Sequence, residues 1–135
     1  MRADDGSIGA FVAVISLATI VVAGLVLDGG RLLAARRQAA DIAANAARAG
    51  VQALDEHSLR SGRAVVDPVA AQAAVATHLA ATPASGTAVI ADNFVAVEVR
   101  VRVRMLLLGV VGVSDTTVSA RREARPVQGV TSGAP

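Results

Sequence analysis

A long apolar run lies near the start of the chain. Residues 8–27 contain no ionisable side chain and are mostly Ile, Val, Leu and Phe, with some Ala and Gly. As an α-helix, at about 1.5 Å per residue, the run would be roughly 30 Å long, which matches the hydrocarbon thickness of a bilayer. It therefore predicts a transmembrane helix. The alternatives are a cleaved secretory signal, which usually has a basic start and a shorter apolar region, and the core helix of a soluble domain.

The helical pattern continues beyond the apolar run. Polar side chains recur at alternating steps of three and four residues, while alanine and glycine fill the opposite face. The polar positions are Gln38, Asp41, Asn45, Arg48, Gln52 and Asp55. We expect one long helix over residues 8–57, of which residues 28–57 continue outside the membrane. Gly29 and Gly30 weaken it locally and would permit a kink.

A second, shorter helix is predicted behind a loop over residues 58–67. Asp67 is a residue type that caps helices, and Pro68 suits the first helical position. We expect this helix to cover residues 69–81. Its buried face would consist of Val69, Ala73, Ala76 and Ala80.

A change of period then predicts three antiparallel strands. Valine alternates with alanine, glutamate and arginine over residues 95–104, which is typical of a strand with one buried face. Shorter strands are predicted over residues 87–91 and 116–125, with a tight turn after the first of them. The fold class is therefore α+β, with a long N-terminal helix, a short second helix and a small three-stranded antiparallel sheet. Residues 58–125 would form a small head, and residues 126–135 a flexible tail.

Another apolar segment, residues 105–113, joins the last two strands. It is too short to cross a bilayer as a helix, and if exposed it would form a large apolar patch. We expect it to cover the sheet or to dock against the long helix. Contact with a partner is the alternative, and the candidate partner patch consists of Leu106, Leu107, Leu108, Val110 and Val111.

Composition narrows the function classes. The chain has 135 residues, of which 53% are hydrophobic, and it contains no Cys, Trp or Tyr. Without cysteine it has no disulfide, no thiol nucleophile and no thiolate metal site. The scarcity of aromatic residues disfavours base-stacking nucleic-acid modules and sugar-binding platforms. The net charge of +2 does not suggest a dense basic patch.

No group of residues predicts catalysis. His57 and His78 lie on separate elements without a second ligand at metal-binding spacing. Asp55 and Glu56 are adjacent, so on a helix they would point to different faces. We expect a protein that is not an enzyme and that has no cofactor, no metal site and no small-molecule substrate.

Two charged features are candidates for binding. The row Arg100, Arg102, Arg104 could attract phosphates or anionic lipid, but we interpret it as the solvated face of a strand and expect no nucleic-acid partner. Asp28 directly follows the apolar run. Its carboxylate could stay among lipid headgroups, or pair with Arg31 or with a cation of a neighbouring subunit.

Three N-terminal sequences follow one another in a characteristic order. They are DGSIGAFV from residue 5, GLVLDGGRL from residue 24 and ARRQAADIAANAARA from residue 35. A charged start, an apolar span, the membrane-exit motif Asp28, Gly29, Gly30, Arg31 and an alanine-rich helix with an internal Asp succeed one another. This order resembles the Tad-type (Flp) pilus-assembly group, the TadE/TadG-like pseudopilins or minor pilins, in their actinobacterial form.

The resemblance implies a pilin-like fold and a non-enzymatic, membrane-anchored accessory subunit of a pilus or related secretion apparatus. Its partners would be other pilin-like or Tad assembly subunits and the lipid bilayer. Residues 1–7 would be a short leader, with processing after Gly6 leaving Ser7 first. Main pilins carry a Glu where this chain has Phe11, so cleavage and Glu-dependent polymerisation stay open. The small residues that would permit helix packing in the membrane are Gly9, Ala13, Ala23 and Gly24.

Two features of the sequence favour opposite orientations. The resemblance implies a single-pass protein of the cell membrane whose C-terminal head is extracytoplasmic. Arginine counts favour the reverse, because Arg2 precedes the apolar run while Arg31, Arg36 and Arg37 follow it, and positive residues tend to stay inside. The alternative function is therefore a membrane-anchored binding or regulatory module with a cytoplasmic head.

Overall fold

The structure, a computed structural model, describes residues 4–112 and 114–127. Three helices come first, α1 (Asp4–Val51), α2 (Glu56–Arg60) and α3 (Pro68–Ala80). The strands β1 (Ser85–Ala91), β2 (Phe94–Arg104) and β3 (Asp115–Ala124) follow, with a short 3₁₀ helix (Leu108–Val111) between β2 and β3. The strands form one antiparallel sheet in the order β1-β2-β3. The predicted α+β class is confirmed, while residues 1–3 of the predicted leader, Val113 and residues 128–135 of the predicted tail lie outside the described residues.

The first helix ends earlier than predicted. It stops at Val51 and does not reach His57, which belongs to α2. Leu54 instead pairs with Val66 in an isolated antiparallel bridge, and Asp55 caps α2. The polar spacing that continues to Asp55 was compatible with a helix, but pairing with a distant segment and a local cap compete with helical hydrogen bonds there.

The predicted cap of α3 is confirmed. An Oδ1 atom of Asp67 accepts hydrogen bonds from the backbone N–H groups of Val69 (2.9 Å) and Ala70 (3.1 Å). Pro68 occupies the first turn, where its missing N–H leaves no helical hydrogen bond unmade. The helix therefore begins where these two residues predict.

The buried face of α3 differs from the prediction. Ala71 and Val75 are buried, whereas the residues predicted to be buried are exposed. The exposed residues are Val69, Ala73, Ala76 and Ala80. Because alanine occupies most positions, α3 is apolar on every side, and its sequence does not favour one face over another.

The alternation in β2 is confirmed over residues 97–104, whereas Ala96, between two buried valines, is buried as well. Its valines are buried, and the arginines between them are exposed. The exposed arginines are Arg100, Arg102 and Arg104. β1 pairs with β2 up to Ala91 opposite Phe94, so Asp92 and Asn93 form the turn that the sequence predicts.

The described residues fall into two compact units. The first unit comprises residues 1–34 and 102–116, and the second comprises residues 35–101 and 117–135, as far as these are described. The helix α1 and the strands β2 and β3 contribute residues to both.

Small residues of α1 and valines of the sheet share the core of the second unit. Its fully buried positions are Ala39, Ala43, Ala46, Ala47, Val66, Ala71, Val75, Val95, Ala96, Val97 and Val99. Gly50 is needed where α1 meets this core. A Cβ atom at Gly50 would lie 2.9 Å from Val75 Cγ2 and 3.0 Å from Val95 Cγ1. The predicted core, an alanine face with a valine face, is confirmed.

Candidate functional site at the end of the apolar helix

The apolar part of α1 is exposed. The helix contains a window of mean hydropathy 2.8, of which 6% is buried. Large side chains such as Phe11, Leu17 and Val26 are each more than half exposed. This exposure argues against the core helix of a soluble domain, because soluble monomers rarely present so extended an apolar surface. The helix is long enough and apolar enough to cross a membrane.

Asp28 is a buried, charged residue of the first unit. It is 1% exposed, and its carboxylate accepts hydrogen bonds from three backbone N–H groups. Leu106 donates to Oδ1 at 3.0 Å, while Leu107 and Leu108 donate to Oδ2 at 3.0 Å and 2.8 Å. The buried carboxylate and the loop backbone thus satisfy each other, which neither could do alone away from water.

The contact of Asp28 with the loop backbone was not predicted from the sequence. The carboxylate accepts from the loop backbone and forms no ion pair with Arg31, which is exposed. A position among lipid headgroups and pairing with a cation of a neighbouring subunit stay predictions. The sequence pattern predicts the end of the helix and the distant apolar segment as separate elements. An ionisable residue that ends an apolar run was the available signal, but backbone N–H groups carry no residue-type pattern that would identify them as its partners.

Leu107 packs onto α1 one turn before Asp28. A Cβ atom at Gly24 would lie 2.9 Å from both Cβ and Cδ1 of Leu107, so the close approach requires glycine. Gly24 therefore contacts its own chain, whereas the sequence placed it against a neighbouring helix. Gly9, Ala13 and Ala23, the other small residues predicted for helix packing, are exposed.

The apolar segment after β2 docks against the long helix. This is one of the two positions that the sequence predicts for it. Leu106 and Leu107 nevertheless remain 57% and 38% exposed. A groove runs beside them, lined by Leu17, Ile20, Val21, Gly24, Leu25, Leu107 and Leu108. The side chains of Val110 and Val111, which complete the predicted partner patch, lie outside the described residues. Contact of this patch with a partner stays a prediction.

The remaining predicted site residues of α1 are helical. Gly29 and Gly30 lie within the continuous helix, and each has open space where a Cβ atom would be. Gly6 and Ser7, at the predicted processing position, belong to the first turns of α1. Removal of the leader stays a prediction.

The remaining candidate side chains are charged residues and histidines. Within residues 4–112 and 114–127, no group of three or more His, Asp or Glu residues could hold a metal ion. His57 is exposed on α2, and His78 is half-buried on α3. In the arginine row of β2, Arg100 forms an ion pair with Glu98 at 2.8 Å.

A second apolar surface was not anticipated from the sequence. In the second unit, a shallow depression lies between the exposed side of α3 and the end of β1. It is lined by Pro68, Val69, Gln72, Ala73, Ala76 and Ile90. The predicted buried face of α3 included Val69, Ala73 and Ala76, so this surface was not expected.

Comparison with known proteins gives a similarity that falls on the first helix. Residues 6–53 match the family model of TadE/G-like Flp pilus-assembly proteins (Tad). The matched residues carry the apolar run, Asp28 and the small-residue face of α1, and they do not include the sheet. No curated protein and no solved structure matches the chain.

Proposed function

We propose that the protein is a non-enzymatic, membrane-anchored accessory subunit of a Tad (Flp) pilus or a related secretion apparatus, of the minor pilin or pseudopilin type. The observation that carries the proposal is the coincidence of two features on one helix. The similarity to TadE/G-like proteins covers residues 6–53, and the exposed apolar run lies inside that range.

The anchor in this proposal is a single pass through the cell membrane by residues 8–27. The same helix supplies Ala39, Ala43 and Ala47 to the core of the head. The anchor and these core residues therefore belong to the same helix, α1.

The partners would be other pilin-like or Tad assembly subunits. Gly9, Ala13 and Ala23 offer a small-residue surface on the exposed apolar helix, and small residues permit close approach of helices in a membrane. We propose that this surface takes part in packing against neighbouring subunits and that the head faces away from the cytoplasm.

A cytoplasmic head is the second candidate, and the positions of the arginines favour it. Arg31, Arg36 and Arg37 are exposed shortly after the apolar run, where the positive-inside rule would keep them in the cytoplasm. The protein would then be a binding or regulatory module that presents the exposed arginines of β2 to an acidic partner or to anionic lipid.

Deletion and complementation in the host test the proposed role. We expect deletion to abolish Flp-type surface pili, or secretion by the related apparatus, and the wild-type gene to restore them. A Leu17→Arg variant should fail to restore them, because arginine at the centre of a transmembrane helix costs about 2.5–3.5 kcal/mol on insertion. The matched control is Leu59→Arg, on the exposed surface of α2, which should restore them. Normal pili and normal secretion in the deletion strain would contradict the proposal.

The N-terminal residue of the protein isolated from membranes shows whether the leader has been removed. Ser7 as the first residue would indicate cleavage after Gly6. Met1 as the first residue would indicate an anchor that keeps its leader. Mass spectrometry of the intact protein distinguishes the two forms.

A further inference from the structure

We propose that residues 106–108, here called the leucine loop, form a second contact with the membrane, in which the exposed side chains of Leu106 and Leu107 insert among lipid acyl chains. The leucine loop would then lie in the bilayer beside the apolar run of α1. This inference rests on the proposed function, because it requires α1 to span a membrane.

The depth of the leucine loop follows from its contact with α1. Leu107 packs on Gly24, and at about 1.5 Å per residue Gly24 lies roughly 6 Å before Asp28 along the helix. Gly24 belongs to the apolar run, so a bilayer that covers the run at this level also reaches Leu107. The adjoining groove extends further along the run to Leu17, and its lining is apolar, as an acyl chain requires.

The backbone N–H groups of the leucine loop form hydrogen bonds within the protein, as a segment in the hydrocarbon region requires. An irregular segment in the hydrocarbon region is costly unless its N–H groups find acceptors within the protein. The N–H groups of all three leucines donate to the carboxylate of Asp28. These N–H groups therefore have an acceptor within the protein and do not depend on water.

Arginines flank the leucine loop within the first unit. Arg102 and Arg104 precede it in β2, Arg31 follows Asp28 by one turn, and all three are exposed. Lipid phosphates lie just outside the acyl region, where such cations are attracted to them. An apolar tip next to basic residues is typical of segments that lie in a membrane interface. Continuity with the exposed apolar helix and these flanking charges favour lipid over a protein as the occupant.

Single tryptophans provide the test, since the chain has no Trp and no Tyr to contribute background fluorescence. The full-length protein is reconstituted into vesicles of phosphatidylcholine and phosphatidylglycerol, with or without bromine on the acyl chains. The reporter variant is Leu106→Trp, at a side chain that is 57% exposed and so tolerates the substitution. Leu17→Trp reports on the anchor, and Val69→Trp, 81% exposed on α3, is the control outside the membrane.

We expect the brominated lipid to quench the emission of L106W and of L17W, with L106W blue-shifted relative to V69W, and to leave V69W unchanged. Quenching of L17W without quenching of L106W would overturn the leucine-loop proposal and leave the anchor intact. In that case a blue-shifted emission of L106W would point to coverage by a second copy or another protein, and a red-shifted emission to a loop in water. Absence of quenching in both variants would overturn the anchor as well.

Discussion

At the scale of residues, Asp28 links two apolar segments that are far apart in sequence. Its carboxylate enters a buried position because three backbone N–H groups replace the water it loses. Gly24 has a complementary role, since it leaves room for Leu107 where any side chain would collide. Together these two residues fix the leucine loop on the end of the apolar helix.

Removing the carboxylate should release the leucine loop. In Asp28→Leu the N–H groups of residues 106–108 lose their acceptors, so we expect their amide hydrogens to exchange faster with solvent. Asp28→Asn keeps one carbonyl oxygen and should give an intermediate rate. Hydrogen exchange followed by mass spectrometry on a peptide that covers residues 105–112 measures this. Asp41→Asn, on the exposed face of α1, is the control, and unchanged exchange in Asp28→Leu would show that the carboxylate does not hold the loop.

A side chain at Gly50 should destabilise the second unit. In Gly50→Val the added atoms meet Val75 and Val95, and overpacking of a close-packed core typically costs about 1–3 kcal/mol. The free energy of unfolding of the head, measured by denaturant titration in detergent, should fall by that amount. Gly30→Val, where the Cβ position is open, should leave it nearly unchanged. Equal stability of the two variants would contradict the packing of α1 in this core.

At the scale of elements, the sequence correctly predicted those helices and strands whose position depends on local interactions. The alternation in β2 and the cap at Asp67 located a strand and a helix to within a residue or two, because side-chain pattern and capping act locally. The prediction of the buried face of α3 was wrong, because alanine makes every face of this helix similarly apolar. The predicted end of α1 was wrong, because Leu54 pairs with Val66, and helical spacing does not reveal this contact. The contact of Asp28 with the leucine loop was missed because its donors are backbone groups.

Asp55, which caps the short helix α2, should make the stability of the protein fall at acidic pH. Hydrogen bonds from Ser58 lower the pKa of Asp55 below its ordinary value of 3.8. A lowered pKa stabilises the folded state fully above pH 3.8, and this contribution is lost as the pH falls from 3.8 through the lowered pKa. The melting temperature of wild-type protein should therefore drop in that range. Asp55→Asn should show a smaller drop, and an identical pH profile in both proteins would exclude this role of Asp55.

At the scale of the whole molecule, the chain joins a membrane-compatible helix to a small α+β head. The head has no disulfide and a core of alanine and valine, which bury less apolar area per residue than larger side chains. Exposed apolar surfaces remain beside the leucine loop and on α3. The proposed role, in which the protein contacts a bilayer and other subunits, would account for these surfaces. The TadE/G-like match covers residues 6–53.

The side of the membrane on which the head lies tests the proposed role most directly. Alkaline phosphatase, which is active only outside the cytoplasm, is fused to the C-terminus, and its activity is measured in intact host cells and membrane fractions. We predict high activity in the membrane fraction, with the Leu17→Arg fusion as a control that should lose it. A fusion protein that is present and membrane-bound but inactive would contradict the extracytoplasmic head and favour the cytoplasmic binding or regulatory module.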